Sequence, residues 1–183
     1  IRDRSVSVGS EMCIRDSLAV ELLKRLIAEQ VHIYKRTNLV KSEKFSEIMQ
    51  GAMNRYLNGM LTNEEVIQEM LNLAKQIREA QKAGEDLGLT ADELAFYDAL
   101  TKPQAIKDFY ENEELIAITK ELADTLRRNR TIDWQKRESA RARMRMMIKK
   151  LLKSHRYPPE GMDDAVATVM QQCELWVDNA SMN

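Results

Sequence analysis

The stretch Thr131–Pro159, TIDWQKRESARARMRMMIKKLLKSHRYPP, mixes arginine and lysine with methionine, isoleucine and leucine at helical spacing. On a wheel of about 100° per residue with Met144 at zero, Ala140, Met147, Ile148 and Leu151 fall within about 60°. Arg143, Lys149, Lys150 and Lys153 occupy the far side. The pattern predicts one amphipathic helix from near Trp134 to Lys153, with a buried seam and a basic back. Asp133 is placed to cap its start, and Tyr157-Pro158-Pro159 to end it.

The same period runs through most of the chain. Leu22, Leu23, Leu26, Ile27, Val31 and Tyr34 follow it, as do Phe45, Ile48, Met49, Ala52, Met53, Tyr56 and Leu57, with Asn58-Gly59 as a stop. Thr62 and Glu65 read as a capping box ahead of Val66, Ile67, Met70, Leu71, Ala74 and Ile77, with Gly84 beyond the end. Thr90 and Glu93 repeat the box before Leu94, Tyr97 and Leu100, and Pro103 breaks the chain. Leu115, Ile118, Leu122 and Leu126 form another stripe, and Val166, Val169, Met170, Cys173, Trp176 and Val177 a last one. No period-two alternation appears. The expectation is an all-α fold, an irregular helical bundle of about seven helices with no sheet. The methionine stripes read as core filler rather than ligands.

Composition narrows the class. Of 183 residues, 44% are hydrophobic and 31% charged, a balance that supports a packed core. Net charge is −1, but Arg127–Lys153 holds eleven Lys/Arg against two acids, a local +9 that leaves −10 for the remainder. Much of that negative charge lies between Glu85 and Asp124. Cys13 and Cys173 match no metal or redox spacing, so a reducing cytoplasmic setting is expected. No apolar run approaches the ~20 residues of a membrane span.

Residues 1–17, IRDRSVSVGSEMCIRDS, are polar, serine-rich and aperiodic. MCIRDS back-translates to a sequence like the transposon-end adapter of sequencing libraries. Residues 1–17 are therefore expected to be a disordered, non-native leader, with residues 18–183 forming the helical domain and the natural chain continuing upstream.

Catalytic signatures do not emerge. There is no GxGxxG, no GxxxxGKS or GxxxxGKT, no HExxH and no nucleophile elbow. His32 and His155 stand singly, and Glu113-Glu114 suits a helix N-terminus. No catalytic, cofactor-binding or metal-ligating residue is expected in this chain.

Three segments carry a family likeness: NLVKSEKFSEIMQGAMNRY (Asn38–Tyr56), LGLTADELAFYDAL (Leu87–Leu100) and the opening Thr131–Pro159 stretch. In this order they resemble the C-terminal helical region of type I restriction enzyme R subunits, and the likeness covers roughly Leu18 to Trp176. It implies a parent that is an ATP-dependent type I site-specific deoxyribonuclease, with ATP and Mg bound by motor and nuclease domains outside this chain. It also implies a helical region associated with docking onto the methyltransferase and specificity subunits. The alternative is a sequence-independent contact between Arg143, Lys149, Lys150 and Lys153 and the duplex DNA backbone. No aromatics interleave with these cations, which argues against stacking on single strands.

Arg137 and Arg141 raise a separate expectation. On the wheel they sit about 20° and 60° from Met144, inside the apolar arc. A guanidinium there needs a partner, and Asp92, Glu93 and Asp98 are the expected carboxylates.

Overall fold

A computed structural model describes residues 8–102, 106, 109–129 and 134–180. Side chains are described from residue 17 to residue 176 within those ranges. Among the described residues there are seven α-helices, one 3-10 turn and no strand. The helices are α1 (Val8–Thr37), α2 (Leu39–Leu57), α3 (Asn63–Asp86), α4 (Ala91–Leu100), α5 (Asn112–Asn129), α6 (Glu138–Ser154) and α7 (Pro159–Ala180). The all-α expectation holds. Pro103, Asp133 and the Val177 side chain lie outside the described residues. The expected leader overlaps α1, whose helical backbone opens at Val8, while residues 1–7 are outside the description. Propagation explains the overlap: once a helix is nucleated, each added residue contributes a hydrogen bond at little further cost.

The chain divides into two compact units. The first comprises residues 1–33 and 43–81. Its buried residues are Val20, Ile27 and Val31 of α1, Phe45 and Ala52 of α2, and Val66, Met70, Leu73 and Ile77 of α3. Leu22 and Leu26 follow the same helical period but are 57% and 51% exposed. The reason is geometric: they lie roughly 100–180° around the helix from Ile27 and Val31, so α1 carries two apolar faces and this unit covers one. The Thr62–Glu65 capping box forms, with the Thr62 amide donating to Glu65 Oε2 at 2.8 Å and the Glu65 amide to Thr62 Oγ1 at 3.3 Å.

The second unit comprises residues 34–42 and 82–183. Its centre is α4, where Leu94, Ala95, Phe96, Tyr97, Ala99 and Leu100 are all buried. A helix apolar around most of its circumference belongs inside a core, and α5 and α7 both pack against it. Thr90 and Glu93 cap it reciprocally. Tyr157 Oη donates to the Leu100 carbonyl at 2.7 Å, and Tyr110 Oη to the His155 carbonyl at 2.7 Å. Burial pushes the Tyr157 phenol far above its ordinary pKa.

The break between α1 and α2 is held by side chains of this same unit. Asn38 Oδ1 accepts the Lys41 amide at 3.1 Å, an N-cap for α2, and Asn38 Nδ2 donates to Asp98 at 2.6 Å. Buried Gln172 of α7 spans the break, its Oε1 accepting the Leu39 amide at 2.9 Å and its Nε2 donating to the Thr37 carbonyl at 2.8 Å.

Three helices end in the same Schellman geometry, with the residue after the cap at positive φ. Met60 N–H reaches the Arg55 carbonyl around Gly59 (φ 69°), and Leu89 N–H the Gly84 carbonyl around Gly88 (φ 61°). Tyr157 N–H reaches the Leu152 carbonyl around Arg156 (φ 60°). Gly84, expected beyond the end of α3, lies inside its last turn. A Cβ there would come within 3.1 Å of Leu94 Cδ2, so this glycine answers to close packing rather than to a turn.

Candidate functional site

The basic helix is shorter than its sequence pattern suggests. Trp134–Lys136 is a 3-10 turn, and Arg137 stands at the N-cap of α6 in extended conformation (φ −108°, ψ 113°). The wheel angle of Arg137, which extends the helix backward through Trp134, therefore does not apply. Arg137 is exposed at the helix entrance, not set in an apolar arc. Within α6 the pattern reads correctly: Met144, Ile148, Leu151 and Leu152 are buried, and Ala140 and Met147 pack partly against the core.

One flank of α6, from Met144, Ala140 and Met147 at the seam round to Arg143, Lys150 and Lys153, lines an open groove of about 1260 Å³. Arg143, Lys150 and Lys153 are exposed on it, and none of them forms a salt bridge among the described residues. Lys149 shares the groove but is bridged to Asp163 of α7 at 2.7 Å. The hydrogen bond and charge of Lys149, with the field of Lys153, hold the Asp163 carboxyl below its ordinary pKa. Met146 stands among these cations and is 74% exposed. Such a face can bind an anionic surface and cover apolar area at the same time. At its Trp134 end the indole ring is buried and its Nε1 has no hydrogen-bond acceptor among the described residues.

The expected arginine–acid pairs are distributed differently. Arg141 Nη2 meets Glu174 of α7 at 3.1 Å, each side chain 36% exposed, while Arg141 Nε is buried without a partner among the described residues. Asp98 is taken by Lys41 at 3.2 Å and by Asn38, and Asp92 sits in the first turn of α4, where its charge suits the helix dipole. Glu93 is met by Arg127 at 3.5 Å. Burial opposes the Glu93 charge, but hydrogen bonds from the Thr90 amide and hydroxyl, with Arg127 and Lys120 nearby, outweigh it and lower its pKa. Arg127 also bridges Asp124 at 3.3 Å and lies 5.7 Å from the Trp176 ring, which packs edge-on against Phe96. The arginine that engages the acidic α4 is thus Arg127. Its signal in sequence was its place one residue after the Leu115–Leu126 stripe, beside the buried edge of α5.

The described residues hold no cluster of three or more His, Cys, Asp and Glu able to bind a metal. No helix among them is long and apolar enough to cross a membrane.

Fold and face together define an all-α module whose distinctive exposed chemistry is a basic, methionine-bearing helix. Residues 11–179 match the family described as type I restriction enzyme HindI endonuclease subunit-like, C-terminal, and the chain belongs to that family. It is 37% identical over 158 residues to the type I restriction enzyme HindI endonuclease subunit of Haemophilus influenzae, an alignment covering 86% of this chain and 15% of the relative. It is 31% identical over 133 residues to the putative type I restriction enzyme MjaIXP endonuclease subunit of Methanocaldococcus jannaschii, covering 72% and 13%. The chain therefore spans a small C-terminal share of the relatives it resembles. No solved structure matches it.

Proposed function

We propose that this chain is the assembly module of a type I restriction R subunit, docking a cytoplasmic, ATP- and Mg-dependent DNA translocase and nuclease onto its methyltransferase and specificity subunits. In this reading the module contributes binding surface and no catalytic group. The observation that carries it is Met146, three-quarters exposed between Arg143 and Lys150 on α6. Exposed methionine beside arginine is typical of protein interfaces, whereas a phosphate backbone gains nothing from the thioether. The test compares the full-length subunit with a version ending before this module, each mixed with the methyltransferase and specificity subunits at high salt. Only the full-length subunit should co-elute with them. Equal co-elution of the shortened subunit overturns the proposal.

A second reading, duplex binding through the backbone, is favoured by the unbridged cations Arg143, Lys150 and Lys153. If all three meet phosphate, reversing their charge should flatten the slope of log affinity against log salt by about 2.7, at roughly 0.9 per contact. An unchanged slope excludes this face as the DNA contact.

A further inference from the structure

Resting on the docking reading, we infer that the α6 groove receives an acidic amphipathic helix of the partner, with carboxylates flanking one apolar side chain that seats on Met146. The helical neighbours of Met146 at i−4, i−3, i+3 and i+4 are Ala142, Arg143, Lys149 and Lys150. It is an apolar knob bordered by three cations, and among the described residues Lys149 alone of these has an acidic partner, Asp163. Among the described residues the groove lining includes no acidic side chain. Its complement must bring negative charge around an apolar centre.

Spacing selects a helix as the occupant. Arg143 and Lys150 are seven residues apart on one face, about 10 Å along the axis at 1.5 Å per residue. A second α-helix laid alongside repeats its own side chains at that same two-turn interval, so carboxylates at i, i+3 or i+4, and i+7 can meet both cations. An extended strand repeats a face every ~6.6 Å and falls out of step. A groove of about 1260 Å³ also exceeds the ~300–1,000 Å³ of ordinary small-molecule sites and accommodates a polypeptide segment.

The experiment uses the complex of full-length subunit, methyltransferase and specificity subunits with bound duplex. Benzoylphenylalanine replaces Met146, and the photocrosslinked product is mapped. The crosslink should fall on one protein helix with carboxylates at the stated spacing. Arg143→Glu, Lys150→Glu and Lys153→Glu together should weaken assembly at least about tenfold, and lysines at the mapped carboxylates should restore it. All three side chains are exposed, so the triple variant keeps its core. A crosslink to DNA, to a segment lacking carboxylates or to nothing overturns the inference, as does an unchanged affinity of the triple variant. If the complex needs the module yet gives one of those results, the inference fails alone. If the complex forms equally well without the module, the docking reading fails and takes the inference with it.

Discussion

Arg156 offers the sharpest test of how α6 is held. It occupies the position that Gly59 and Gly88 fill at the ends of α2 and α3, at almost the same positive φ. A left-handed L-residue costs roughly 1–2 kcal/mol. Arg156→Gly removes that cost but frees the unfolded chain, a loss of roughly 0.5–1 kcal/mol. The side chain is exposed and makes no hydrogen bond or ion pair among the described residues, so little else changes. The net expectation is stabilisation by about 0.5–1 kcal/mol, read as a higher urea midpoint at constant m-value. Gly88→Ala and Gly59→Ala should move the other way by about 0.5–1 kcal/mol, the same two contributions with signs reversed. An added Cβ meets nothing within 4 Å at either glycine, so the change is purely conformational. If Arg156→Gly lowers the midpoint, the strain argument is wrong and the arginine side chain contributes a contact of its own.

Four further outcomes are expected. Tyr157→Phe should cost about 1–3 kcal/mol by urea unfolding, because it leaves the Leu100 carbonyl buried and unpaired. Glu93 is more acidic folded than unfolded, so its contribution is complete above the ordinary glutamate range near pH 4.3 and drains away as pH falls through the lowered folded value. Glu93→Gln, which keeps the capping oxygen, should therefore flatten the acid limb of stability against pH, and an unchanged limb refutes the assignment. Arg137→Met should leave unfolding unmoved within about 0.5 kcal/mol, as for an exposed site, and Arg141→Met should stay under about 1 kcal/mol, as for a half-exposed pair. Trp134→Phe removes an indole N–H that has no partner among the described residues, along with ring volume. Its cost should fall below the ~3–5 kcal/mol of a large aromatic truncation, and a loss that large would mean the N–H has a partner.

Local rules were legible in the sequence. The Thr62–Glu65 and Thr90–Glu93 boxes, the Asn58-Gly59 stop and the Met144–Leu151 seam depend on residues within one or two turns of each other. Where a reading needed distant information, it failed for identifiable reasons. Leu22 and Leu26 satisfy the helical period, but which of two apolar faces is covered depends on α2 and α3. Gly84 carries the composition of a stop, but it is governed by Leu94, ten residues on. Arg141 was matched to α4 by charge alone, whereas its partner Glu174 is 33 residues further along, on a helix whose docking no spacing rule specifies. The basic face of α6 was visible because it lies on one helix. Its encounter with Asp163 was not, because that depends on how α7 returns.

The Gln172 bridge has a consequence for the order in which this protein is made. The two backbone groups it satisfies, at Thr37 and Leu39, lie 135 and 133 residues upstream. At ~5–20 residues per second, a ribosome needs roughly 7–27 s to translate that interval. For that long the corner between α1 and α2 has been synthesised while the amide that closes it does not yet exist, and water must serve in its place. Closure of the corner thus waits for α7 to be made, and a nascent chain stalled before residue 172 leaves it open to proteases and chaperones.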